Sequence, residues 1–436
     1  MRKAPALKGK AKRSSSKLCR NGKIPSFTNV GEEPLQPQWE PEIIDSRDAL
    51  AGMVANVPKG QIKEKGNKDY YSDEDAALEN EEEHAQANLR NAGSDEELYR
   101  AIVVVGGFNA KEAYEQEPDV QKTKRRSSCC ASSKDNGSSM LLYDPASDQW
   151  SVIGQLPKPR HHHRLIYLKN VLYTIGGCDP EVTKQGKMVP LRSGHSFDLA
   201  SKKWRKLPKM RHSRMYHGTA ALQGKIYVVG GKDETDNMLD SVEVYDPEKN
   251  AWYELNSHLD SPSMGVGVCT HGGQLWVIGG MVQSKAGKID LVKDVKRYDP
   301  NNQSWNHDIP DIPFPRAFIG AVECGKRLYV IGGTSYADID IYSEELNSLD
   351  DVLVYEDVKR KWQASVPMPS PRHFVATATV GRSIFVLGGL TSFKKEALDE
   401  VILFTENTKQ WHPCSTLPVP LCGFATASVP SIIENK

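Results

Sequence analysis

Six glycine pairs constrain this chain more than any other feature. They stand at 106–107, 176–177, 230–231, 279–280, 332–333 and 388–389, and each closes a short apolar run: "AIVVVGG", "VLYTIGG", "KIYVVGG", "QLWVIGG", "RLYVIGG" and "SIFVLGG". Each pair is followed by a variable loop and a second apolar run that ends near an aromatic and, in most repeats, an acidic residue. A tryptophan then closes the unit, so Trp150, Trp204, Trp252, Trp305, Trp362 and Trp411 hold closely related positions. The unit is about fifty residues long, and a repeat of this kind cannot bury its apolar face alone. Neighbouring units must therefore stack.

The runs alternate or are continuously apolar, as half-buried and fully buried strands are. Because Gly-Gly, Tyr-Asp and Trp recur together, residues 99–430 resemble six kelch repeats. That resemblance implies an all-β fold, a six-bladed kelch β-propeller. A glycine pair at a strand end permits a close backbone approach that a Cβ would block, and a large Trp can fill the gap between neighbouring sheets. The innermost strands are expected in "RLIYLKN", "YHGTAAL", "VGVCTHG", "FIGAVEC", "FVATATV" and "GFATASV". The first unit lacks such a strand before Tyr99 and the last has one to spare, so the C-terminal strand should complete the first blade and leave no open sheet edge.

Residues 1–98 read differently. A basic stretch, a proline-rich stretch and the acidic block "SDEDAALENEEEHAQANLRNAGSDEEL" offer few periodic apolar residues. Such a segment cannot bury enough surface to offset its ordering entropy, so disorder is expected, with a short helix at "SRDALAGMVANV". Lys+Arg and Asp+Glu both number 56, and this zero net charge argues against a globally basic nucleic-acid binder. No run reaches the ~20 apolar residues of a membrane span, and no apolar signal region opens the chain. With eight dispersed cysteines and no CxxC pair, these features point to a cytoplasmic protein with reduced thiols. "RKAPALKGKAKR" leaves a nuclear address open, against the plainer reading of a solvated tail. "KTKRRSS" offers Ser127 or Ser128 to a basophilic kinase, and Cys129-Cys130 is a redox candidate with no group identifiable to lower its pKa.

Register within the repeat singles out the candidate site. Arg160, Arg214, Arg316 and Arg372 each lie sixteen residues before the first glycine of their repeat, and Ser263 holds that slot in the fourth. The residues that follow occupy the turn into an inner strand, near the mouth of the central channel. "PRHHHR" places His161, His162 and His163 there. Strand alternation would let His161 and His163 converge with His162 pointing away. Zinc, however, wants three or four N, S or carboxylate ligands, and the equivalent slots supply only His217 and His373. Polar residues leading into a strand is the preferred reading, and no metal or cofactor is expected.

The resemblance extends to kelch-like (BTB-BACK-kelch) ubiquitin-ligase adaptors, whose arginines, serines and aromatics at such positions grip a degron peptide. Carried over by position, the partner-binding candidates are Arg160, His161, His162, Arg214, Tyr216, Ser263, Arg316, Phe318, Arg372, His373 and Phe374. An arginine fork suits carboxylate or phosphate. The alternative is that the repeated arginine ties neighbouring blades together. Residues 1–98 read as too short and too polar for BTB plus BACK. The implied function is protein–protein interaction, as substrate recognition for a cullin-RING ligase or as an actin or other cytoskeletal scaffold. Neither a paired-carboxylate motif nor the copper constellation of propeller oxidases is apparent, so an enzyme is not expected.

Overall fold

The run before each glycine pair is apolar at consecutive positions, a pattern that suits a strand covered on both faces. In the computed structural model, which describes residues 99–108, 137–183, 188–337, 345–392 and 396–430, each of these runs is the second strand of a four-stranded antiparallel sheet. The disorder and short helix expected over residues 1–98, Ser127/Ser128 and Cys129-Cys130 lie outside the described residues.

Six such sheets form six blades. Their innermost strands are Ala425–Pro430, Arg164–Leu168, Gly218–Leu222, Gly267–His271, Gly320–Cys324 and Ala376–Val380, in blades one to six. Each packs beside the next and the sixth beside the first, which closes the ring. The closure is the expected clasp. Ala425–Pro430 pairs antiparallel with Tyr99–Val105, with Val103 opposite Ala427 and Val105 opposite Ala425. Among the described residues the apolar core is divided, one cluster filling each seam between blades. Ile102, Val104 and Tyr143 of the first blade, for example, meet Phe385, Leu387 and Val401 of the sixth.

The late aromatic-acidic signature and the tryptophan have separate tasks. Asp144, Asp246 and Asp299 each accept the backbone N–H two residues on, at 3.0, 3.0 and 2.8 Å, fixing the turn before the outermost strand. The tryptophan packs on the aromatic residue of its own blade, as Trp252 does on Tyr245 at 5.1 Å. Its indole N–H reaches across the seam: Trp150 donates to the Ser415 carbonyl, Trp252 to Pro208, Trp305 to Ser257, Trp362 to Pro310 and Trp411 to Val366, at 2.8–3.1 Å.

Candidate functional site

All four repeat arginines are fully buried. Each guanidinium donates to the carbonyl of the first glycine of its own blade: Arg160 to Gly176 at 2.8 Å, Arg214 to Gly230 at 2.7 Å, Arg316 to Gly332 at 3.4 Å and Arg372 to Gly388 at 3.3 Å. Each arginine carbonyl in turn accepts from the second glycine of the preceding blade: Gly107 N–H reaches Arg160, Gly177 reaches Arg214, Gly280 reaches Arg316 and Gly333 reaches Arg372, at 2.7–3.0 Å. One residue thus stitches two blades. The stitch also explains the first glycine of the pair. At Gly176 (φ +65°) a Cβ would lie 2.7 Å from the Arg214 carbonyl oxygen and 2.6 Å from the His217 ring, so any side chain there would force the seam apart.

Counterions differ from blade to blade. Arg214 pairs with buried Glu243 at 2.9 Å, Arg316 forks onto Asp351 at 2.7 Å, and Arg372 meets Glu400 at 2.6 Å. Arg160 has no carboxylate at that place and uses the Ser193 carbonyl and the His195 ring, at 3.0 and 3.2 Å. Burial, partly offset by the charge of Asp179, holds Arg160 down to about 10.

Two residues after each arginine slot the chain turns inward at a left-handed residue. His162, Tyr216, Gly265, Phe318, Phe374 and Gly423 have φ between +50° and +64°. Their backbones link around the axis: His162 N–H donates to Gly423, Gly265 to Tyr216, Phe318 to Gly265 and Phe374 to Phe318, at 2.6–3.0 Å. The four rings converge over the mouth. Phe318 and Phe374 stack at 4.0 Å, Tyr216 sits 5.5 and 5.7 Å from them, and His162 lies 4.6 Å from Tyr216 and 5.3 Å from Phe374. All four are half-buried, so their faces form a partly open aromatic plug. Beneath it lies a cavity of about 30 Å³ bordered by His163, Arg164 and Phe424 as well as the plug. Both long insertions flank this mouth at their described ends. Phe108 packs 5.7 Å from His162, and Met188 lies 3.8 Å from the Tyr216 hydroxyl.

Comparison with known proteins agrees with this geometry. A family model described as "KLHDC2/KLHL20/DRC7 Kelch-repeats domain" matches residues 127–333, and the "Kelch motif" matches 315–369 and 371–418. The chain is a kelch-repeat protein. Alpha-scruin and beta-scruin of Limulus polyphemus are 30% and 31% identical over 262 and 263 residues, 60% of this chain and 28% of each relative. Kelch-like protein 41 of Rattus norvegicus is 26% identical over 275 residues, covering 52% of this chain and 44% of the relative. The chain therefore spans less than half the length of these relatives. A solved structure described as "Structure of YjhT" superposes with a TM-score of 0.54 at 18% identity, covering 64% of this chain and 91% of that one, and shares the fold.

Several of the kelch positions expected to touch a partner are buried. Arg160, Arg214, Arg316 and Arg372 are fully buried, their guanidinium groups turned onto backbone carbonyls and, in the last three, onto Glu243, Asp351 and Glu400, a placement that suits the reading of blade against blade. Ser263, 4% exposed, donates to the Ser261 carbonyl at 2.8 Å. His161 is buried too, its Nε2 2.7 Å from the Thr183 hydroxyl. His162, Tyr216, Phe318 and Phe374 do gather at the mouth. His373 flanks Phe374 at 5.2 Å and meets the Ser348 hydroxyl at 2.8 Å.

The histidine triplet also departs from strand alternation. The strand begins only at Arg164, and the left-handed backbone of His162 turns its ring onto His161, Nδ1 to Nδ1 at 2.6 Å. His163 instead wedges between the glycine pairs of the first and second blades. Burial holds His162 and His163 well below the ordinary imidazole range and, against the charge of Asp179, His161 at about 4. Among the described residues no group of three or more His, Cys, Asp or Glu is placed to hold a metal. Sequence reasoning passed over Gly265 and Gly423, which complete the left-handed ring, and Arg164, which borders the cavity. Counting two and four residues on from the arginine slot would have found them.

Proposed function

We propose that the aromatic mouth receives a protein or peptide partner, and that the chain is the substrate-recognition part of a cullin-RING ubiquitin ligase. One observation carries the docking site. A left-handed backbone costs an ordinary residue about 1–2 kcal/mol, and glycine fills that slot in two blades, yet the other four place His162, Tyr216, Phe318 and Phe374 there. Strain retained where glycine would remove it, on rings with open faces, is what a binding surface built on aromatic anchors requires.

The ligase role draws support from the likeness of the repeats to kelch-like proteins. A second reading, an actin or other cytoskeletal scaffold acting without a cullin, draws on the scruins, which share 30–31% identity and are not kelch-like proteins by name. Affinity capture of the tagged chain from cells, with cosedimentation of the purified chain on actin filaments, tests both. A cullin in the capture and protein left in the supernatant is the expected result. Pelleting with filaments, with no cullin captured, would replace the first reading by the second.

A further inference from the structure

The cavity under the plug contains a charge that the fold does not call for. The first residue of the innermost strand is Gly218, Gly267, Gly320, Ala376 or Ala425 in five blades and Arg164 in the second. Small residues suit that slot because sheets crowd near the axis: a Cβ on Gly267 would lie 2.6 Å from Ile319 of the next blade. Arg164 reaches the third blade through Nε alone, which donates to the His217 carbonyl at 2.8 Å, and not through the paired terminal nitrogens that the stitching arginines use. Its terminal nitrogens have no hydrogen-bond or carboxylate partner among the described residues. Burial without an acidic neighbour holds it down to about 10.

Next to it, His163 is 1% exposed and both its ring nitrogens are buried without a hydrogen-bond partner among the described residues. A neutral imidazole always carries one N–H, so the cavity offers a second donor. We propose that this cavity binds a small monovalent anion of halide size, gripped by the Arg164 guanidinium and the N–H of His163.

The sign follows from the guanidinium. Three adjacent histidines invite a metal, but a cation would sit against a fixed positive charge in a poorly hydrated space, where like charges repel strongly. The size follows from the walls. A cavity of about 30 Å³ bordered by Phe318, Phe374 and Phe424 holds one or two water-sized species, and its described lining lacks the ring of donors that a phosphate's four oxygens would need. The cavity shares the plug rings with the mouth, but its two anion donors, Arg164 and His163, are not among the rings offered to a partner.

Two measurements on the full chain test it. Crystals grown or soaked with bromide, measured at the bromine edge, should show an anomalous peak within hydrogen-bonding reach of both Arg164 and His163. In solution, chloride-35 line broadening should be present for the wild type and Arg164→Lys, while Arg164→Gln should weaken chloride binding about tenfold or more. No anomalous peak at Arg164 would overturn the proposal, and so would a carboxylate of the chain itself seated there. Equal broadening in folded Arg164→Gln would overturn it as well. The bromide experiment needs no variant and stands even if the substitutions unfold the chain.

Discussion

Arg160, Arg214, Arg316 and Arg372 occupy one slot and share two bonds to glycine pairs, but they differ in what they would leave behind. Arg214→Met leaves the charge of Glu243, 1% exposed, with only the backbone N–H groups of Arg211 and His212, and removing one partner of a buried ion pair costs about 3–5 kcal/mol. Arg160→Met leaves carbonyls but no carboxylate, a loss of about 1–3 kcal/mol. Urea unfolding should therefore rank Arg214→Met as clearly less stable than Arg160→Met; the reverse order would deny the counterion its weight. The slot itself was legible, because sixteen residues separate arginine from glycine in four repeats. Its depth was not, since an arginine before a strand has the same spacing whether its fork meets solvent or a neighbouring blade's backbone. The aromatic ring was half legible. The rings stood in register, but the left-handed backbone that turns them inward has no signature beyond the two glycines sharing their slot.

Among the elements, the strand Ala425–Pro430 has the widest reach. It joins the first blade through Tyr99–Val105 and flanks the inner strands of the second and sixth. Its role could be read from the sequence by counting inner strands, because a ring of antiparallel sheets must pair every edge. A chain ending at Phe424 should lose its single cooperative thermal transition and become susceptible to proteolysis in the first blade. Retention of the wild-type melting profile would show that the clasp is dispensable. The lead-in to the second blade was harder to read. Alternation predicted convergence of His161 and His163, but alternation holds only for extended backbone, and His162 at φ +50° breaks it one turn before the strand begins.

The described residues form a ring of six seams, and its stability should follow pH through histidines placed in them. His271 of the fourth blade lies between Glu323 and Asp357 of the fifth, at 2.8 and 2.9 Å. Burial opposes its charge, but the hydrogen bonds and charges of Asp357 and Glu323 prevail and raise it to about 9. A raised imidazole stabilises fully below its unfolded value of about 6.5, and that contribution is lost as pH rises through 9. With Asp357 half exposed, about 1–2 kcal/mol is at stake. His161, His195 and His373 are held near 4, chiefly by burial, so on the acid side stability falls as pH drops from about 6.5 toward 4. The melting temperature should peak near pH 6.5, and His271→Gln should flatten the alkaline limb alone. An unchanged alkaline limb would remove His271 from the account.

What the ring presents at its mouth is the central claim, and proximity labelling in cells tests it most directly. The wild type is compared with Tyr216→Gly/Phe374→Gly, which keeps the left-handed turns and removes two rings, and with Val358→Ser, a change at a position 94% exposed on the far face. The account expects the mouth variant, still folded by its melting curve, to lose partners that the wild type and Val358→Ser retain. A folded mouth variant with an unchanged partner list would contradict it.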